Sequence, residues 1–380
     1  MSTVVQQDWN ARYDASSSQL VRPQRHERGV LYASKREAIF VDFFNLDERA
    51  LGIIEDRYGL TGLDCFLPIL LDGDECTLLE VRSATSKKAI VETESGLYFF
   101  KQIPWYCDTV EQITASTTIQ RQLREAGSPL PGIVPTKNAS LWTKIGDAKF
   151  VLFEFASGRR YSGTKEQKLG SARTLATMHL QEVTASTAPK EDIFELARDH
   201  IVLLGDTATK RAHDARTVLS DFINILSRAE THARSLGWST LPLVAIHGDY
   251  NPWNLLFRED GEVAAILDFD NCDVAQRLHD VAEAILTHCI LRYRKDSTNF
   301  ASIQVDGLDI RAISDFLNTY EGVAPLTSTE RKCLPYVVQA IYIELTCLGM
   351  IRQDIDLNEG HRATTWLLEL PNLWNRISAK

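Results

Sequence analysis

The sequence predicts an α+β protein built in two parts, a small strand-rich part and a larger, mainly helical part. Apolar runs typical of strands fall mostly before residue 156, whereas apolar residues at helical spacing dominate the rest of the chain. One strand-and-loop island, at about 241–270, interrupts the helical pattern. We therefore expect an N-terminal extension over residues 1–46, a first part over 47–155 and a second part over 156–380.

The first part is predicted to contain a short helix, several strands and a second helix. A helical pattern that opens at Asp47 stops at Gly59, and a stretch with few helix breakers, residues 109–126, stops at Gly127. The strand predictions are residues 76–81, 89–93, 97–103, 140–144 and 150–155, with a hairpin turn at 94–96.

The second part is predicted to be helical apart from one hairpin. The helix predictions are residues 169–180, 193–236, 278–295, 310–321 and 329–352. Residues 255–257 and 262–268 are predicted to pair, because the intervening Arg-Glu-Asp-Gly has the composition of a turn. This hairpin would bring Asn254 close to Asp268.

The composition is that of a globular protein whose main partner is not a nucleic acid. The 380 residues are 44% hydrophobic and carry a formal net charge of -10, whereas proteins that bind nucleic acids need a basic surface. The seven cysteines are scattered and form no CxxC pair, which is typical of reduced cysteines in a cytoplasmic protein. Without a signal region or an apolar run of about 20 residues, we expect a soluble, cytoplasmic protein that does not bind a membrane. The oligomeric state stays open.

The most informative stretch is HGDYNPWN, residues 247–254, which lies between two apolar runs. Pro252 prevents a helix between Asp249 and Asn254. Fourteen residues after Asn254, an apolar strand ends in the acidic element Asp268-Phe269-Asp270. The alternative interpretation is a hairpin whose polar residues only cap turns, but HGD with this asparagine and this acidic element is far more specific than D-x-x-x-x-N alone.

The arrangement has a use in phosphoryl transfer. That reaction needs divalent metal ions held by oxygen ligands, which Asn254 and Asp268 would supply from neighbouring strand ends. It also needs a carboxylate that accepts or orients the proton of the attacking hydroxyl, and Asp249 is placed for that role. The spacing matches the catalytic loop of kinases. His247 is expected to orient the loop through hydrogen bonds.

Lys101, in a predicted strand, is the candidate cation for the phosphates. Strand alternation puts Leu97, Phe99, Lys101 and Ile103 on one face. Burying a lysine in such an apolar row is costly unless its ammonium group is paired, and ATP phosphates and a helix carboxylate would both pair with it. Phe99 could cover the adenine. The alternative is a lysine at a strand end that reaches solvent.

The segment Arg-Ser-Ala-Thr-Ser-Lys-Lys, residues 82–88, is a second candidate for phosphate binding. Its small hydroxyl residues, among them Ser83 and Thr85, let a backbone approach phosphates and add hydrogen-bond donors. The segment has no glycine, so it is neither the Gly-rich loop of a protein kinase nor a P-loop. An ordinary polar turn explains it equally well.

Together these motifs resemble the aminoglycoside phosphotransferase and choline kinase superfamily, small-molecule kinases related to protein kinases. HGDYNPWN resembles their HGDxxxxN loop, and ILDFD resembles their metal-binding strand. Further similarities are LATMH at 175–179, RLHDVA at 277–282 and LREAG at 123–127. The resemblance runs from about residue 48 to the C-terminus. It implies a two-lobed protein-kinase-like fold, with a small antiparallel β-sheet lobe, a larger mainly helical lobe, and ATP in the cleft.

The resemblance also implies roles for individual residues. Asp249 is similar to the catalytic base, Asn254 and Asp268 to the Mg²⁺ ligands, and Lys101 to the phosphate-binding lysine. The hinge that offers backbone groups to the adenine would be Glu154, Phe155 and Ala156. The implied activity is an ATP- and Mg²⁺-dependent transfer of phosphate to a hydroxyl of a sugar, an aminoglycoside-like compound, an amino alcohol or a hydroxy amino acid.

One departure from the family concerns the partner of Lys101. Many members have a glutamate in the middle of the first-lobe helix, where this chain has Ser116, Thr117 and Thr118. The acidic residue nearest to that position is Glu111, one to two turns earlier. The departure favours the alternative function, a pseudokinase that binds nucleotide without turnover. An enzyme is favoured by the presence of Asp249 and Asn254 in the loop, of Asp268 at the acidic strand end, and of Lys101.

The acceptor stays open. Residues 268–272 and 280–285 resemble the homoserine-kinase-like branch, whereas the segment around Thr109 and residues 133–136 resemble the hexosamine-kinase and spore-coat-kinase-like branches. Asp270 and Asp273 could attract an amine or bond to sugar hydroxyls, or they could be structural. A protein kinase is disfavoured, because the chain lacks both a Gly-rich loop and an A-P-E element after Asp268.

Overall fold

A computed structural model gives the fold. The residues that it describes are 56–60, 64–66, 88–93, 96–104, 107, 109–184, 192–208, 213–291, 309–351, 364–372 and 374. The predicted N-terminal extension, the predicted strand at 76–81, and both Ser83 and Thr85 lie outside the described residues.

The first lobe contains a five-stranded antiparallel sheet in the order β1-β2-β3-β5-β4. Its strands are β1 (Asp64–Phe66), β2 (Lys88–Thr93), β3 (Gly96–Gln102), β4 (Thr143–Ile145) and β5 (Ala148–Glu154). In the centre, Lys101 of β3 lies opposite Val151 of β5. The predicted strands at 89–93, 97–103 and 150–155 are confirmed, while the strand predicted at 140–144 starts three residues later than expected.

The two faces of the sheet have different environments. One face packs an apolar core, in which the rings of Phe100 and Phe150 stack at 4.7 Å and Val91 is fully buried. Alternate residues of β3, among them Phe99 and Lys101, lie on the opposite face and are also buried. A lysine therefore lies in a buried row, as the alternation predicts.

Helix α1 (Val110–Glu125) follows the sheet strand β3 and confirms the helix predicted at 109–126. It begins at a capping box, in which the side chain of Thr109 accepts from the backbone of Gln112 and the side chain of Gln112 reaches back to Thr109. It ends before Gly127, whose positive φ of 100° favours glycine. Ile113, Ile119 and Leu123 bury one side of the helix.

A connector after β5 is attached to the second lobe by backbone hydrogen bonds. Arg159 N–H donates to Phe257 O at 2.7 Å, and Phe257 N–H donates to Arg159 O at 2.8 Å. Gly158 fits here because a Cβ at this position would lie 2.8 Å from Cβ of Leu256. The lobe boundary therefore has a defined path.

The second lobe is mainly helical. Its helices are α2 (Lys165–His179), α3 (Ile193–Ala208), α4 (His213–Ser235), α5 (Leu278–Ile285), α6 (Ile310–Glu321), α7 (Ser328–Ile351) and a further helical segment at 364–372. One extended core joins them and contains large side chains such as Phe222, Trp238 and Phe316. The predicted stretch 193–236 is two helices. Helix α5 continues as a π-helical turn, Leu286–Ile290, and ends earlier than predicted.

Two small antiparallel ladders carry the strand-and-loop island. The predicted hairpin is confirmed, since β7 (Leu255–Phe257) pairs with β8 (Val263–Ile266). A second pair joins β6 (Leu243–Ile246) to β9 (Asp273–Gln276). Strand β9 was not predicted, because its sequence, DVAQ, is half-buried throughout and has no apolar alternation.

Helix α7 is long and apolar enough, by length and composition, to cross a membrane. A core helix passes the same test, so this is weak evidence. The helix packs against α3, α4 and α5, and Cys333, Val337 and Ile341 on it are buried. The apolar character of α7 is accounted for by these contacts within the lobe.

Candidate active site

The loop that follows β6 is a tight turn built around Gly248 and Asn251. Gly248 has a φ of 75°, which a residue with a Cβ rarely adopts. Asn251 Oδ1 accepts from Trp253 N–H at 3.1 Å and caps the single 3₁₀ turn Pro252–Asn254, in which proline takes the first position. The sequence therefore positions Asp249 and Asn254 at the two ends of one rigid loop.

Asp280, in the first turn of α5, holds the start of this loop. Its carboxylate accepts from the backbone N–H of His247 at 2.6 Å and of Gly248 at 2.9 Å, and it lies 3.2 Å from His179 Nε2. Burial alone would raise the pKa of Asp280, but the hydrogen bond from His179 and the nearby imidazole of His279 hold it well below its usual range. The carboxylate is thus a charged acceptor inside the core.

The imidazole of His247 links the loop to the strand end of β8. Asp249 N–H donates to His247 Nδ1 at 3.2 Å, so Nδ1 is unprotonated and Nε2 carries the proton. Nε2–H donates to Leu267 O at 2.7 Å. The ring also meets the ring of Phe269, with centroids 4.5 Å apart. With both nitrogens used in this way, His247 is placed to brace the loop.

Asp249 is half-buried and oriented by two asparagines. Asn251 Nδ2 donates to Asp249 Oδ1 at 2.6 Å, and Asn254 Nδ2 donates to Asp249 Oδ2 at 2.9 Å. Asn254 Nδ2 also bonds to Asp249 O at 2.9 Å. Burial raises the pKa of Asp249 to about 7, and the negative charge of Asp268 adds to the shift. Asp249 therefore combines a fixed orientation with the proton affinity that suits a general base.

Glu283, one turn beyond Asp280 on α5, lies beneath the loop. Its Oε2 accepts from Tyr250 N–H at 3.0 Å, and its carboxyl is hydrogen-bonded to that of Asp249. Burial, followed by repulsion from Asp249 and Asp280, raises the pKa of Glu283 well above its usual value. The raised pKa favours the protonated form of Glu283, which can donate its proton in the hydrogen bond to Asp249.

Asn254 lies directly before β7 and Asp268 lies just after β8, so both are at the same end of the predicted hairpin. Leu267 N–H donates to Asn254 O at 2.8 Å, next to the pair formed by Leu255 and Ile266. Asp268 has a φ of 64°, which is uncommon for a residue other than glycine and turns its side chain out of the strand path. Because Nδ2 of Asn254 is used by Asp249, Oδ1 remains for a cation. An amide oxygen and a carboxylate fit Mg²⁺.

Lys101 reaches across from the sheet to the acidic element after β8. Its Nζ lies 2.5 Å from Asp268 Oδ1 and 2.7 Å from Asp270 Oδ2. Burial would lower the pKa of Lys101, but the two carboxylates more than offset this and raise it, so the ammonium group is charged. The alternative of a strand-end lysine in solvent is therefore wrong.

Glu111 does not take part in this ion pair. It lies in the first, exposed turn of α1, and both carboxylates that pair with Lys101 in the described part of the chain belong to the acidic element. The prediction that Glu111 belongs to the nucleotide site has no support in this geometry, because the helix turn that carries it points into solvent. Many family members pair this lysine with a glutamate on the helix, and its absence here favoured a pseudokinase. In this chain Asp268 and Asp270 pair with Lys101 instead.

The predicted adenine site is a cluster of apolar side chains between the lobes. Phe99 is buried and packs with Phe153, Phe155, Ala156 and Leu267. At the hinge, Glu154 N–H donates to Gly132 O and Phe155 N–H donates to Leu97 O. The side chain of Glu154 is exposed and pairs with Arg124 at 2.7 Å. Of the three predicted hinge residues, Glu154 and Phe155 therefore use their backbone N–H groups within the protein, and a bond from Ala156 N–H to adenine stays a prediction.

Several residues around the site were not predicted to belong to it. Asp280 and His179 were noted only as parts of family motifs, and Asn251 and Glu283 were not singled out as site residues. Asn251 had a local signal, because an asparagine before proline is typical of a capped turn. Glu283 had none, since an Asp-x-x-Glu spacing on a helix is common on solvated faces.

Known proteins share both the sequence pattern and the fold. The profile of a family described as "Phosphotransferase enzyme family" matches residues 77–326. Homoserine kinase of Caulobacter vibrioides is 26% identical over 257 residues, which cover 66% of this chain and 73% of that protein.

Solved structures of low sequence identity establish the fold. Choline kinase from Cryptosporidium parvum superimposes with a TM-score of 0.60 at 12% identity and covers 86% of this chain and 95% of its own. Amicoumacin kinase in complex with AMP-PNP and Ca²⁺ superimposes with a TM-score of 0.56 at 17% identity and covers 86% and 93%. The predicted two-lobed kinase-like fold is thereby confirmed.

Proposed function

The chain belongs to the phosphotransferase enzyme family, whose members transfer phosphate to hydroxyl groups, and on that premise we propose that it transfers the γ-phosphate of ATP to a small alcohol with the help of Mg²⁺. One observation carries the proposal. Lys101 of the sheet lobe forms an ion pair with Asp268 of the helical lobe. Leu267, next to Asp268, donates its N–H to Asn254 O, and the Asn254 side chain bonds to Asp249, so the four polar residues lie in one region between the lobes.

Each residue of the network has a part in the proposed transfer. The oxygen of the acceptor hydroxyl attacks the γ-phosphorus atom while Asp249 accepts the proton of that hydroxyl. The bond between the γ-phosphorus atom and the bridging oxygen to the β-phosphate then breaks, and ADP leaves. Asn254 Oδ1 and the Asp268 carboxylate would hold Mg²⁺, and the bound ion would neutralise charge on the phosphates. The ammonium group of Lys101 contacts the phosphates and orients them.

The nucleotide base is proposed to bind at the hinge. Phe99 and Leu267 offer apolar surface to the two faces of an adenine, and Ala156 N–H offers a donor to its edge. The amicoumacin kinase, whose fold is shared, was solved with an ATP analogue and a divalent cation. Both points support ATP as the donor, with Mg²⁺ as the metal.

We propose that the acceptor is a small alcohol that also carries a nitrogen cation. The relatives are named for homoserine, choline and amicoumacin, and the first two are alcohols of this kind. Homoserine, a hydroxy amino acid, is the first compound to test, because the homoserine kinase matches two thirds of the chain in sequence.

Replacing the proposed base tests the mechanism. Asp249→Asn keeps the shape of the side chain but cannot accept a proton, so kcat should fall by about 10²–10⁴-fold, with little change in the Kd for Mg²⁺-ATP. Phosphate transfer should be measured on a panel of hydroxy amino acids, amino alcohols, aminoglycosides and sugars. Turnover at the wild-type rate in Asp249→Asn would contradict the assignment of the base. Transfer to sugars alone would contradict the proposed class of acceptor.

A further inference from the structure

We propose that Asp270 is a positioning residue for Lys101 and replaces the glutamate that related kinases carry on the first-lobe helix. The inference rests on the proposed function, in which Lys101 contacts the phosphates of ATP. Asp270 lies on the turn directly after the proposed metal ligand Asp268, so the carboxylate that anchors the lysine comes from the second lobe instead of from α1.

The geometry of the ion pair supports this assignment. Lys101 Nζ lies 2.7 Å from Asp270 Oδ2, and the two side chains are only 5% and 10% exposed. Asp268, the other partner of Lys101, is 27% exposed. Asp270 is thus the more buried of the two carboxylates, and an ion pair that is shielded from water keeps more of its strength.

Binding of a metal gives the two carboxylates different parts. Asp268 is the proposed metal ligand, so an oxygen that now accepts from Lys101 would turn to the cation when Mg²⁺-ATP binds. Lys101 would then keep Asp270 as its carboxylate partner while it moves to contact the phosphates. Without Asp270, the ammonium group would be buried with no fixed anion on the protein, which is costly.

Helix α1 has no acidic side chain where the family has its glutamate. Thr117, at the buried position of that turn, donates its hydroxyl to Ile113 O at 2.6 Å, and Thr118 donates to Thr114 O at 2.6 Å. Ser116 likewise bonds to Ile113 O, at 3.2 Å. These hydroxyls are used within the helix, which leaves Lys101 to find its partner elsewhere.

The same small side chains let the acidic turn approach α1 closely. Cys272 Sγ donates to Ser116 O at 3.6 Å, a contact with the backbone of the helix, and Cys107 before the helix lies 3.9 Å from Asn271 Oδ1. The turn Phe269–Asn271 therefore occupies the side of α1 from which a glutamate would extend. The carboxylate partner of Lys101 is therefore supplied by the turn that packs on α1 and not by α1 itself.

The test is a double-mutant cycle on nucleotide binding. Lys101→Met, Asp270→Asn and the combination of both are compared with the wild type, with binding of Mg²⁺-ATP and of adenosine measured by calorimetry. Asp270→Asn should weaken ATP binding by about tenfold or more, as expected for loss of a buried charged hydrogen bond. The same substitution should add little in the Lys101→Met background.

Two features of the design separate positioning from a general effect on the fold. Adenosine lacks phosphates, so its affinity should be unchanged by Asp270→Asn. Asp270→Glu should recover part of the ATP affinity, because it restores the charge. Two matched controls each remove an acid from the first lobe instead. Glu111→Gln tests the rival partner on α1, and Asp147→Asn removes an exposed charge in the turn between β4 and β5.

The outcomes distinguish the inference from its premise. If Lys101→Met weakens ATP binding and Asp270→Asn does not, or if Glu111→Gln has the larger effect, the inference is wrong while the proposed function stands. Equal losses for ATP and adenosine, or fully additive effects in the cycle, would also overturn it, since Asp270 would then not act through Lys101. If Lys101→Met leaves ATP binding unchanged, the proposed function itself loses its phosphate-binding lysine.

Discussion

The carboxylate of Asp249 receives its orientation from two amide groups and its environment from a third residue. Asn251 and Asn254 each donate to one of its oxygens, and protonated Glu283 donates to it from below. A general base must keep a lone pair directed at the acceptor hydroxyl, and these bonds restrict the rotation of the side chain. The neutral Glu283 supports Asp249 without adding a second negative charge.

The protonation of Glu283 predicts how stability depends on pH. Burial raises the pKa of Glu283 in the folded protein above its value in the unfolded chain, which is about 4.3. Protonated Glu283 therefore makes its full contribution to the free energy of unfolding below about pH 4.3, and this contribution is lost as the pH rises through the pKa of the folded protein. Glu283→Gln mimics the protonated form. The gain in the free energy of unfolding of Glu283→Gln over the wild type should therefore increase between pH 5 and pH 9.

Urea unfolding at several pH values checks this prediction. Glu125→Gln serves as the control, because Glu125 is an exposed acid at the end of α1, in the other lobe, and does not contribute to the pKa shift of Glu283. A difference between Glu283→Gln and the wild type that stays constant with pH would show that Glu283 is ionised in the folded protein.

Among the elements, helix α5 holds the loop at residues 247–254, the proposed catalytic loop, in place through its first turn. Asp280 of α5 accepts from two consecutive backbone N–H groups at the end of β6, and Glu283 of α5 accepts from a third. Arg277, just before the helix, forms a two-point ion pair with Glu330 of α7, with distances of 2.6 and 2.8 Å. The helix is thus fixed to the lobe at the same end that holds the loop.

The clamp by Asp280 predicts a coupled loss of stability and activity. Asp280→Asn removes the charge that two buried N–H groups and His179 share, which should cost about 3 kcal/mol of unfolding free energy. The loop would lose its fixed geometry, so kcat should fall while Asp249 is intact. Chemical unfolding and steady-state kinetics measure both. The control is Asp315→Asn on α6, which removes a half-buried carboxylate that pairs with Lys165 away from the loop. If Asp280→Asn is less stable but keeps the wild-type kcat, the hydrogen bonds of Asp280 to the loop are not needed for catalysis.

In the whole molecule, the two lobes are held together at the site by a buried ion pair. Lys101 belongs to the sheet lobe, while Asp268 and Asp270 belong to the helical lobe. The connector adds backbone bonds between Arg159 and Phe257. Binding of Mg²⁺-ATP between the lobes would replace part of the direct ion pair by contacts through the phosphates. A cytoplasmic location and the absence of a nucleic-acid partner stay predictions.

This arrangement predicts a metal-dependent stabilisation by nucleotide. ATP at about one hundred times its Kd should add about 2.7 kcal/mol to the free energy of unfolding, and less when EDTA removes the metal. In Asp268→Ala, the stabilisation by ATP should be the same with Mg²⁺ and with EDTA, because this variant lacks the carboxylate that would bind the metal. Thermal unfolding with ATP, with and without Mg²⁺, is the measurement. An equal magnesium effect in Asp268→Ala and in the wild type would exclude Asp268 as a ligand.

Patterns along the chain were sufficient where one local feature decides the outcome. The alternation around Lys101 predicted its buried face, the stop at Gly127 predicted the end of α1, and the turn at 258–261 predicted the hairpin that joins Asn254 to Asp268. Strand β9 was not predicted for two reasons. Its own side chains form no apolar face, and its partner strand β6 lies about 30 residues earlier in the chain.

The sequence by itself determined the family, the two-part fold and the residues of the proposed catalytic loop, because these depend on fixed short spacings that only a few structures satisfy. Tertiary structure decided which acids surround the site and in what state. Glu111 was the nearest acid to the expected helix position, yet Asp270 pairs with Lys101, because closeness in space across two lobes is not encoded by closeness in sequence. The protonation of Glu283 follows from its burial beside Asp249, which no spacing could reveal.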